Sequence, residues 1–275
     1  MRKGTQACFG IITMLFLSPL IINTFSSFPS KNVAADEYDE KQVAVIVATQ
    51  HEVPIVNQEL NHKNALLLFT HSHEAFIPIV QSINGQTEVY SPTTNIMGFE
   101  NIIKNQFDFN LIQAEFLPVD TMHEMKKTNR TFAEAYDVVR PFLAAKLQEN
   151  EYDLIIDLHR DSAGKKTTTL TYGNETYGKL YFVVGEDHPN YTFNQSLAKN
   201  LSAQLNVMVP GISRGVIGKK GNHVDGIYNQ DLAKNMVLIE LGGIENTQEE
   251  INRTISLLAK AISIVLQNQS SVTSI

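Results

Sequence analysis

The stretch FTHSHEAF, residues 69–76, contains two histidines and a glutamate within four positions. His71 and Glu74 are three residues apart, which lets an imidazole and a carboxylate on one turn chelate a single cation. His159 ends a later apolar stretch and can supply a third ligand. Zinc in hydrolases usually takes three protein ligands of these types and leaves a fourth position for water. The residue types therefore predict a zinc site formed by His71, Glu74 and His159.

Glu240 is a carboxylate inside the apolar run MVLIELGG, residues 236–243. A charged group in such a run is costly to bury unless it is paired or bound to a metal. Hydrolysis by a zinc-activated water also needs a group that takes the proton of the water and passes it to the leaving amine. We predict that Glu240 is this group.

Arg160 follows His159 directly and has two competing explanations. Its guanidinium can hold a substrate carboxylate or stabilise the negative charge that develops on the amide oxygen. The alternative is a salt bridge to Asp157 or Asp161. On the first explanation, Arg160 joins Glu240 as a catalytic residue.

The candidate ligands also have ordinary structural explanations. A histidine at the end of a strand is more often a satisfied polar group than a ligand, and the spacing HxxE arises by chance in many sequences. His159 can equally belong to an ion cluster with Asp157 and Asp161. His73 lies two residues beyond His71, and we expect it to support the site or contact the substrate rather than bind the metal. The combination of four suitable groups at three strand ends favours the metal site.

Short apolar runs alternate with longer amphipathic stretches along the chain. Such runs predict strands that are covered on both faces, and helical spacing predicts the helices between them. The predicted strands span residues 43–48, 64–70, 153–159, 179–185 and 236–243, and the predicted helices span 131–150, 194–206 and 247–267. This alternation predicts an α/β fold, with a single domain built on a mostly parallel twisted sheet flanked by helices. Loops converge at the carboxyl ends of such strands, where the candidate residues lie.

Two of the predicted helices carry local signals. Pro141 weakens the middle of the helix at 131–150 and can kink it. Thr247 is expected to cap the helix at 247–267, and Glu249 and Glu250 in its first turn suit the helix dipole. The apolar stripe expected to face the core from 131–150 consists of Phe132, Ala135, Tyr136, Val139, Leu143 and Leu147.

The first 28 residues are expected to form a signal peptide or a membrane anchor. Arg2 and Lys3 precede an uncharged apolar stretch at 7–25, which directs the rest of the chain outward. An uncleaved anchor is the first expectation, and cleavage near residues 33–35 is the alternative. The remaining predicted parts are a polar stalk at 29–41, the working domain at 42–268 and a polar tail at 269–275. The domain would then be extracytoplasmic, either anchored to the cell membrane or secreted.

The composition limits the class of function. A chain of 275 residues with 43% hydrophobic residues can form one large domain with a substantial core. The formal charge of -7 argues against nucleic-acid binding, because nucleic-acid binders usually concentrate lysine and arginine. Cys8 is the single cysteine and lies in the apolar N-terminal stretch, so the exported part has no disulfide and no thiolate nucleophile.

Five motifs resemble those of the stage II sporulation protein P (SpoIIP) family, the cell-wall hydrolases of spore-forming Firmicutes. They occur in the order of the family, and the resemblance covers about residues 42–268. The motifs are THSHEAF (70–76), IIDLHRDS (155–162), YFVVGEDHPN (181–190), YNQDL (228–232) and LIELGGIENTQEE (238–250).

The resemblance implies a zinc-dependent N-acetylmuramoyl-L-alanine amidase with an amidase_3-like fold. Such an enzyme acts on peptidoglycan, and endopeptidase activity toward peptide cross-links is also ascribed to the family. His71, Glu74 and His159 match the metal ligands of the family, and Glu240 matches its catalytic glutamate. Tyr228 and Asn229 match residues that shape the substrate groove. The preceding polar loop contains further candidates with weaker support, namely Asn222, His223 and Asp225.

The resemblance also implies a partner, a SpoIID-like protein that cuts glycan strands. The stretch between the apolar segment and the first predicted strand is short for the family, so a role elsewhere at the cell wall fits equally well. Two other functions stay open. One is a zinc peptidase that cuts only peptide cross-links, and the other is a catalytically silent module that binds the wall.

Overall fold

A central β-sheet organises the chain in the computed structural model, which describes residues 62–272. The apolar N-terminal stretch, the stalk and the predicted strand at 43–48 lie outside this range. Within it, no helix combines the length and the hydrophobicity that a membrane span requires. The described residues belong to one compact unit.

The described residues form eight strands, six longer helices and several short helical turns. The strands are β1 Lys63–Leu68, β2 Ile112–Phe116, β3 Leu154–Asp161, β4 Thr169–Tyr172, β5 Glu175–Gly178, β6 Leu180–Gly185, β7 Ser213–Lys219 and β8 Met236–Gly243. The helices are α1 Ile77–Asn84, α2 Glu100–Phe109, α3 Thr121–Lys127, α4 Ala135–Glu149, α5 Tyr191–Met208 and α6 Gln248–Val272. The short turns are Ile96–Phe99, Phe132–Glu134, Lys165–Thr168 and Gln230–Leu232.

Six strands form the main sheet in the order β2-β1-β3-β8-β6-β7, and β4 and β5 form a separate hairpin. The pairs β2/β1, β1/β3, β3/β8 and β6/β7 are parallel, whereas β8 and β6 run antiparallel. The predicted mostly parallel sheet is therefore confirmed, with one reversal of direction at β8/β6. The predicted strands at 64–70, 153–159, 179–185 and 236–243 correspond to β1, β3, β6 and β8.

The two faces of the sheet are covered differently. On one face, side chains that include Leu67, Ile156 and Ile239 pack with residues from α2, α5 and α6 into the larger core cluster. On the other face, Leu68 and Ile155 pack with residues of α4 in a smaller cluster. Because successive side chains of a strand point to opposite faces, β1, β3 and β8 are apolar along most of their length. The functional side chains described below belong to the face that α4 covers.

The predicted helix at 131–150 is confirmed as α4, preceded by the turn Phe132–Glu134. The helix continues through Pro141 without interruption. Four of the six residues expected on its inner stripe are buried, whereas Phe132 is 46% exposed. The difference arises because Phe132 lies in the 3-10 turn, whose residues do not follow the helical period of 3.6. Its side chain therefore lies at the surface instead of in the core.

The predicted cap of the last helix is also confirmed. The backbone N–H of Glu250 donates to Oγ1 of Thr247 at 3.3 Å, and the backbone N–H of Thr247 donates to Oε2 of Glu250 at 3.0 Å. These reciprocal bonds form a capping box, which satisfies two N–H groups that the helix itself leaves unpaired. The helix α6 extends to Val272, beyond the expected start of the polar tail at 269.

Candidate active site

The register of three neighbouring strands brings the candidate residues onto one face of the sheet. His159 of β3 is the partner of Glu240 in β8, and Glu240 is in turn the partner of Tyr181 in β6. Directly paired residues project to the same face of a sheet. His159, Glu240 and Tyr181 therefore stand side by side, although 81 positions separate the first two in the chain.

The loop after β1 supplies the other candidate ligands. A backbone hydrogen bond from Glu74 to His71 closes a turn between them, and Glu74 pairs with Tyr90 in an isolated β-bridge. Oε1 of Glu74 lies 3.6 Å from Nδ1 of His71, and Oε2 lies 3.8 Å from Nδ1 of His159. The potential ligand atoms of these three residues all lie within 4.8 Å of one another. The structure thus brings together the three residues that were predicted from the sequence as metal ligands.

Glu74 and His159 are each oriented by a second group. The backbone N–H of Arg160 donates to Oε2 of Glu74 at 2.7 Å. Nε2 of His159 lies 3.0 Å from Oδ1 of Asp157, although this contact lacks good hydrogen-bond geometry. The carboxylate of Asp157 also accepts from the backbone N–H and the hydroxyl of Thr70, at 3.0 and 2.7 Å. With Nε2 facing a carboxylate, the remaining ring nitrogen of His159 is directed at Glu74.

Negative charge dominates the buried part of the site. Burial by itself would lower the pKa of His159, but Asp157, Glu74 and Glu240 together raise this pKa to about 9. Burial raises the pKa of Asp157, whereas His159 and Thr70 lower it more strongly, so that the net shift is downward. Three carboxylates around one imidazole therefore create a strongly negative environment that favours a bound cation.

Glu240 lies next to these groups and is largely buried. Its Oε2 has no hydrogen-bond partner within residues 62–272. Burial raises the pKa of Glu240 to about 7, with Glu74 and Asp161 raising it further and His159 and Arg160 opposing the shift. A carboxyl group that titrates near neutral pH can both accept and release a proton.

The donor set fits a divalent metal ion. Two imidazole Nδ1 atoms and one carboxylate are ligands that zinc takes in catalytic sites. Asp157 behind His159 provides the outer carboxylate that commonly fixes the tautomer of a ligating histidine. His71, Glu74 and His159 thus form a possible metal site, with Glu240 beside it.

A cleft of about 660 Å³ opens above the candidate ligands. Tyr228 forms part of its wall, and the Tyr228 and Tyr136 rings meet edge to face with centroids 5.1 Å apart. The sequence did not mark Tyr136, Tyr181 or Lys219 as site residues, because the first reads as core and the others as ordinary strand residues. The cleft is lined by His71, Phe132, Ala133, Tyr136, His159, Tyr181, Val183, Lys219, His223, Val224, Asp225, Tyr228, Leu238 and Glu240.

Arg160 is placed differently from both explanations offered by the sequence. Its side chain is only 2% exposed and does not line the cleft. The guanidinium donates to the carbonyl oxygens of Val89 and Asp161, at 2.6 and 3.3 Å, and forms no salt bridge with Asp157 or Asp161 in the described part of the chain. The carboxylate of Asp161 instead pairs with Arg214. Arg160 therefore braces the loop that contains Val89, and its catalytic role stays a prediction.

Asn229 is buried and does not line the cleft either. Its Oδ1 accepts from Arg140 at 2.9 Å, and its Nδ2 donates to the carbonyl oxygen of Tyr136 at 2.9 Å. Both polar groups of the side chain are therefore used inside the protein. These bonds connect Asn229, and with it the neighbouring Tyr228, to α4, and the expected role of Asn229 in shaping the substrate groove stays a prediction.

His73 does not belong to the group of candidate ligands. Its Nε2 lies 2.9 Å from Oδ2 of Asp120, and the same carboxylate accepts from Ser72 and from the backbone of His123 at the start of α3. His73 thus ties the loop after β1 to α3. In the polar loop at 222–225, His223 and Asp225 line the cleft.

Sequence comparisons identify proteins that are similar to this chain. The family model of stage II sporulation protein P (SpoIIP) matches residues 23–263. Stage II sporulation protein P of Bacillus subtilis (strain 168) is 29% identical over 226 residues, which cover 82% of this chain and 56% of the relative. The chain thus spans about half the length of that curated relative.

Solved structures resemble the fold at low sequence identity. The CwlD amidase from Clostridioides difficile, in complex with the GerS lipoprotein, matches with a TM-score of 0.50 and 14% identity, over 77% of this chain and 100% of that chain. The N-acetylmuramyl-L-alanine amidase from Mycobacterium smegmatis matches with a TM-score of 0.44 and 12% identity, over 76% and 99% of the two chains. The first of these likenesses shows the fold.

Proposed function

This chain belongs to the stage II sporulation protein P family, and on that premise we propose that it is a zinc-dependent peptidoglycan hydrolase of sporulating cells. The bond that it cleaves is the amide between N-acetylmuramic acid and the L-alanine of the stem peptide. The proposal depends on one observation above all, which is the convergence of His71, Glu74 and His159 beside the buried carboxyl group of Glu240.

The ion would be held by Nδ1 of His71, Nδ1 of His159 and the carboxylate of Glu74. When bound, zinc activates a water molecule and polarises the amide carbonyl group. Asp157 keeps the ring of His159 in the orientation that directs Nδ1 at the ion. The backbone N–H of Arg160 fixes the carboxylate of Glu74. The ligands are therefore oriented before the ion binds, which lowers the cost of ordering them.

Glu240 is the proton carrier in this proposal. Its unpartnered Oε2 accepts the proton of the attacking water and then donates it to the departing amide nitrogen. The raised pKa supports this role, since a carboxylate with an ordinary pKa is a weaker base and would take the proton from the water less readily.

The wall of the cleft suits a peptide substrate with carboxylate groups. Lys219 and His223 line it and can pair with acidic groups of the stem peptide. Peptidoglycan is therefore the proposed binding partner. An extracytoplasmic location, anchoring to the cell membrane through residues 1–28 and cooperation with a SpoIID-like enzyme that cuts glycan strands belong to the same proposal.

The test is a digest of purified peptidoglycan by the purified full chain, with the products identified by mass. We expect glycan strands without peptide, together with complete stem peptides that begin with a free L-alanine. Activity should disappear with a chelator and return when zinc is restored. Shortened peptides that remain attached to the lactyl group would instead show a cross-link peptidase. The absence of any product from metal-loaded protein would contradict a hydrolase and leave a wall-binding module.

A further inference from the structure

A second and smaller hollow adjoins the cleft and has no assigned role. Its volume is about 360 Å³, and it is lined by Tyr90, Met122 and Phe132, which we call the aromatic hollow. Phe132 lines both the cleft and the aromatic hollow. Tyr90 and Phe132 are 45% and 46% exposed. Two large aromatic side chains exposed next to each other form the kind of surface that binds a ligand.

The backbone holds Tyr90 firmly in this exposed position. Ala75 donates to the carbonyl oxygen of Val89, and Ser91 donates to that of His73, both at 2.9 Å, so that bonds flank Tyr90 on either side. The guanidinium of Arg160 also lies over the Tyr90 ring at 5.5 Å from its centroid. The backbone hydrogen bonds and Arg160 thus fix Tyr90 in its exposed position.

Phe132 connects the aromatic hollow to the candidate ligands. Its ring stacks on the imidazole of His71 with centroids 4.2 Å apart, and meets the ring of Tyr90 edge to face at 5.8 Å. A capping box between Thr131 and Glu134 fixes the short turn that presents Phe132. The aromatic hollow therefore begins one ring away from His71.

We propose that the aromatic hollow binds a pyranose ring of the glycan strand next to the amide that is cleaved. The identity of this ligand rests on the proposed function, because the amide of that substrate has a sugar on one side and a peptide on the other. The larger cleft contains Lys219, His223 and Asp225 and suits the charged peptide. Tyr90, Met122 and Phe132 carry no charge, and the C–H face of a pyranose packs well on the electron-rich face of an aromatic ring.

A single tryptophan placed in the hollow can report binding directly, because the chain contains no tryptophan. The reporter is Tyr90→Trp. Its matched control is Tyr172→Trp, since Tyr172 is 47% exposed and lines neither the cleft nor the hollow. Each full-length variant is titrated with peptide-free glycan oligosaccharides of N-acetylglucosamine and N-acetylmuramic acid, and separately with the free stem peptide. We expect a saturable change in emission only for Tyr90→Trp with the glycan. A response to the peptide alone, or to neither ligand, would overturn the inference.

Two further variants separate this inference from the proposed function. Tyr90→Ala should bind the peptide-free glycan about tenfold more weakly in calorimetry, whereas Tyr90→Phe, which keeps the ring, should bind it like the unmodified chain. Binding of the glycan needs no turnover, so a chain that binds it through Tyr90 but releases no products supports the hollow and contradicts the hydrolase. A chain that hydrolyses peptidoglycan with the same KM after Tyr90→Ala contradicts the hollow and leaves the hydrolase intact.

Discussion

Oδ1 of Asp157 lies 3.0 Å from Nε2 of His159, on the opposite side of the imidazole from the nitrogen that faces Glu74. A carboxylate, an imidazole and a second carboxylate therefore follow one another, and of these three groups only His159 lines the cleft. Asp157 is fully buried and is itself fixed by Thr70. This arrangement explains why one nitrogen of His159 is available to a metal ion.

Asp157→Asn should weaken zinc binding by about 10- to 100-fold, because an amide neither fixes the tautomer of His159 nor increases its basicity as a carboxylate does. The affinity can be measured by competition with a chromophoric chelator. Thr70→Val is the matched control, since it removes the hydroxyl bond to Asp157 and leaves the carboxylate in place. Equal losses of affinity in the two variants would show that packing, and not the carboxylate, matters at this position.

Metal content distinguishes the proposed ligands His71 and His159 from His73. Full-length His71→Ala and His159→Ala should each lose bound zinc, because each removes one of the three proposed donors. His73→Ala should retain the zinc, since His73 contacts Asp120 instead. Elemental analysis of the dialysed proteins gives the stoichiometry. Zinc at full occupancy in His159→Ala would remove this residue from the ligand set.

Glu240→Gln should lower kcat about 100-fold or more while zinc stays bound, since the amide keeps the shape of the side chain but carries no proton to the leaving nitrogen. Release of stem peptides from peptidoglycan provides the rate, and elemental analysis provides the metal content. Glu151→Gln, an exposed change in the loop before β3, is the control and should keep the rate. Undiminished turnover by the Glu240 variant would assign the proton transfer to another group.

Much of the sheet could be predicted from the sequence, because β1, β3, β6 and β8 are buried on both faces and appear as nearly unbroken apolar runs. The segments β2, IQAEF, and β7, SRGVIGK, lie at the edges of the sheet and contain polar residues, so they gave no such signal. The reversal between β8 and β6 was hidden for a different reason. Strand direction depends on the path of the connections and not on the composition of the strand.

Some residues of the candidate site could be predicted from the sequence, and others could not. His71, Glu74, His159 and Glu240 could be nominated because their chemistry is unusual at the ends of apolar strands. The aromatic hollow could not, since its position depends on the β-bridge between Glu74 and Tyr90 and on ring stacking. Partners far along the chain also decide the position of polar side chains. The hydrogen bonds of Arg160 to Val89 and of Asn229 to Tyr136 span 71 and 93 positions, and no local sequence pattern predicts them.

Glu240→Gln should also stabilise the metal-free protein at higher pH. The pKa of Glu240 rises from 4.5 to about 7 on folding, so the folded state binds more protons between these values and its stability falls as pH rises. Glutamine has no charge to bury. The advantage of the variant should be small at pH 4.5 and reach about 3 kcal/mol at most by pH 8. Thermal unfolding across this range measures it, with the exposed Glu88→Gln as a control that should change little. A pH-independent advantage would contradict the raised pKa.

A side chain at Gly242, in the turn after Glu240, should destabilise the protein. This residue has φ of 64°, and an added Cβ would lie 2.5 Å from Cδ1 of Ile251 and 3.0 Å from Oδ1 of Asn246. Gly173 has a similar φ of 62° with nothing within 4 Å of the added atom, so Gly173→Ala isolates the backbone strain. We expect that strain to cost about 1 kcal/mol in both variants, and the steric contacts to cost Gly242→Ala about 1–3 kcal/mol more. Urea unfolding provides the two free energies. Because Gly242 is two residues from Glu240, turnover should fall only in Gly242→Ala, and equal free energies for the two variants would show that the turn can relax.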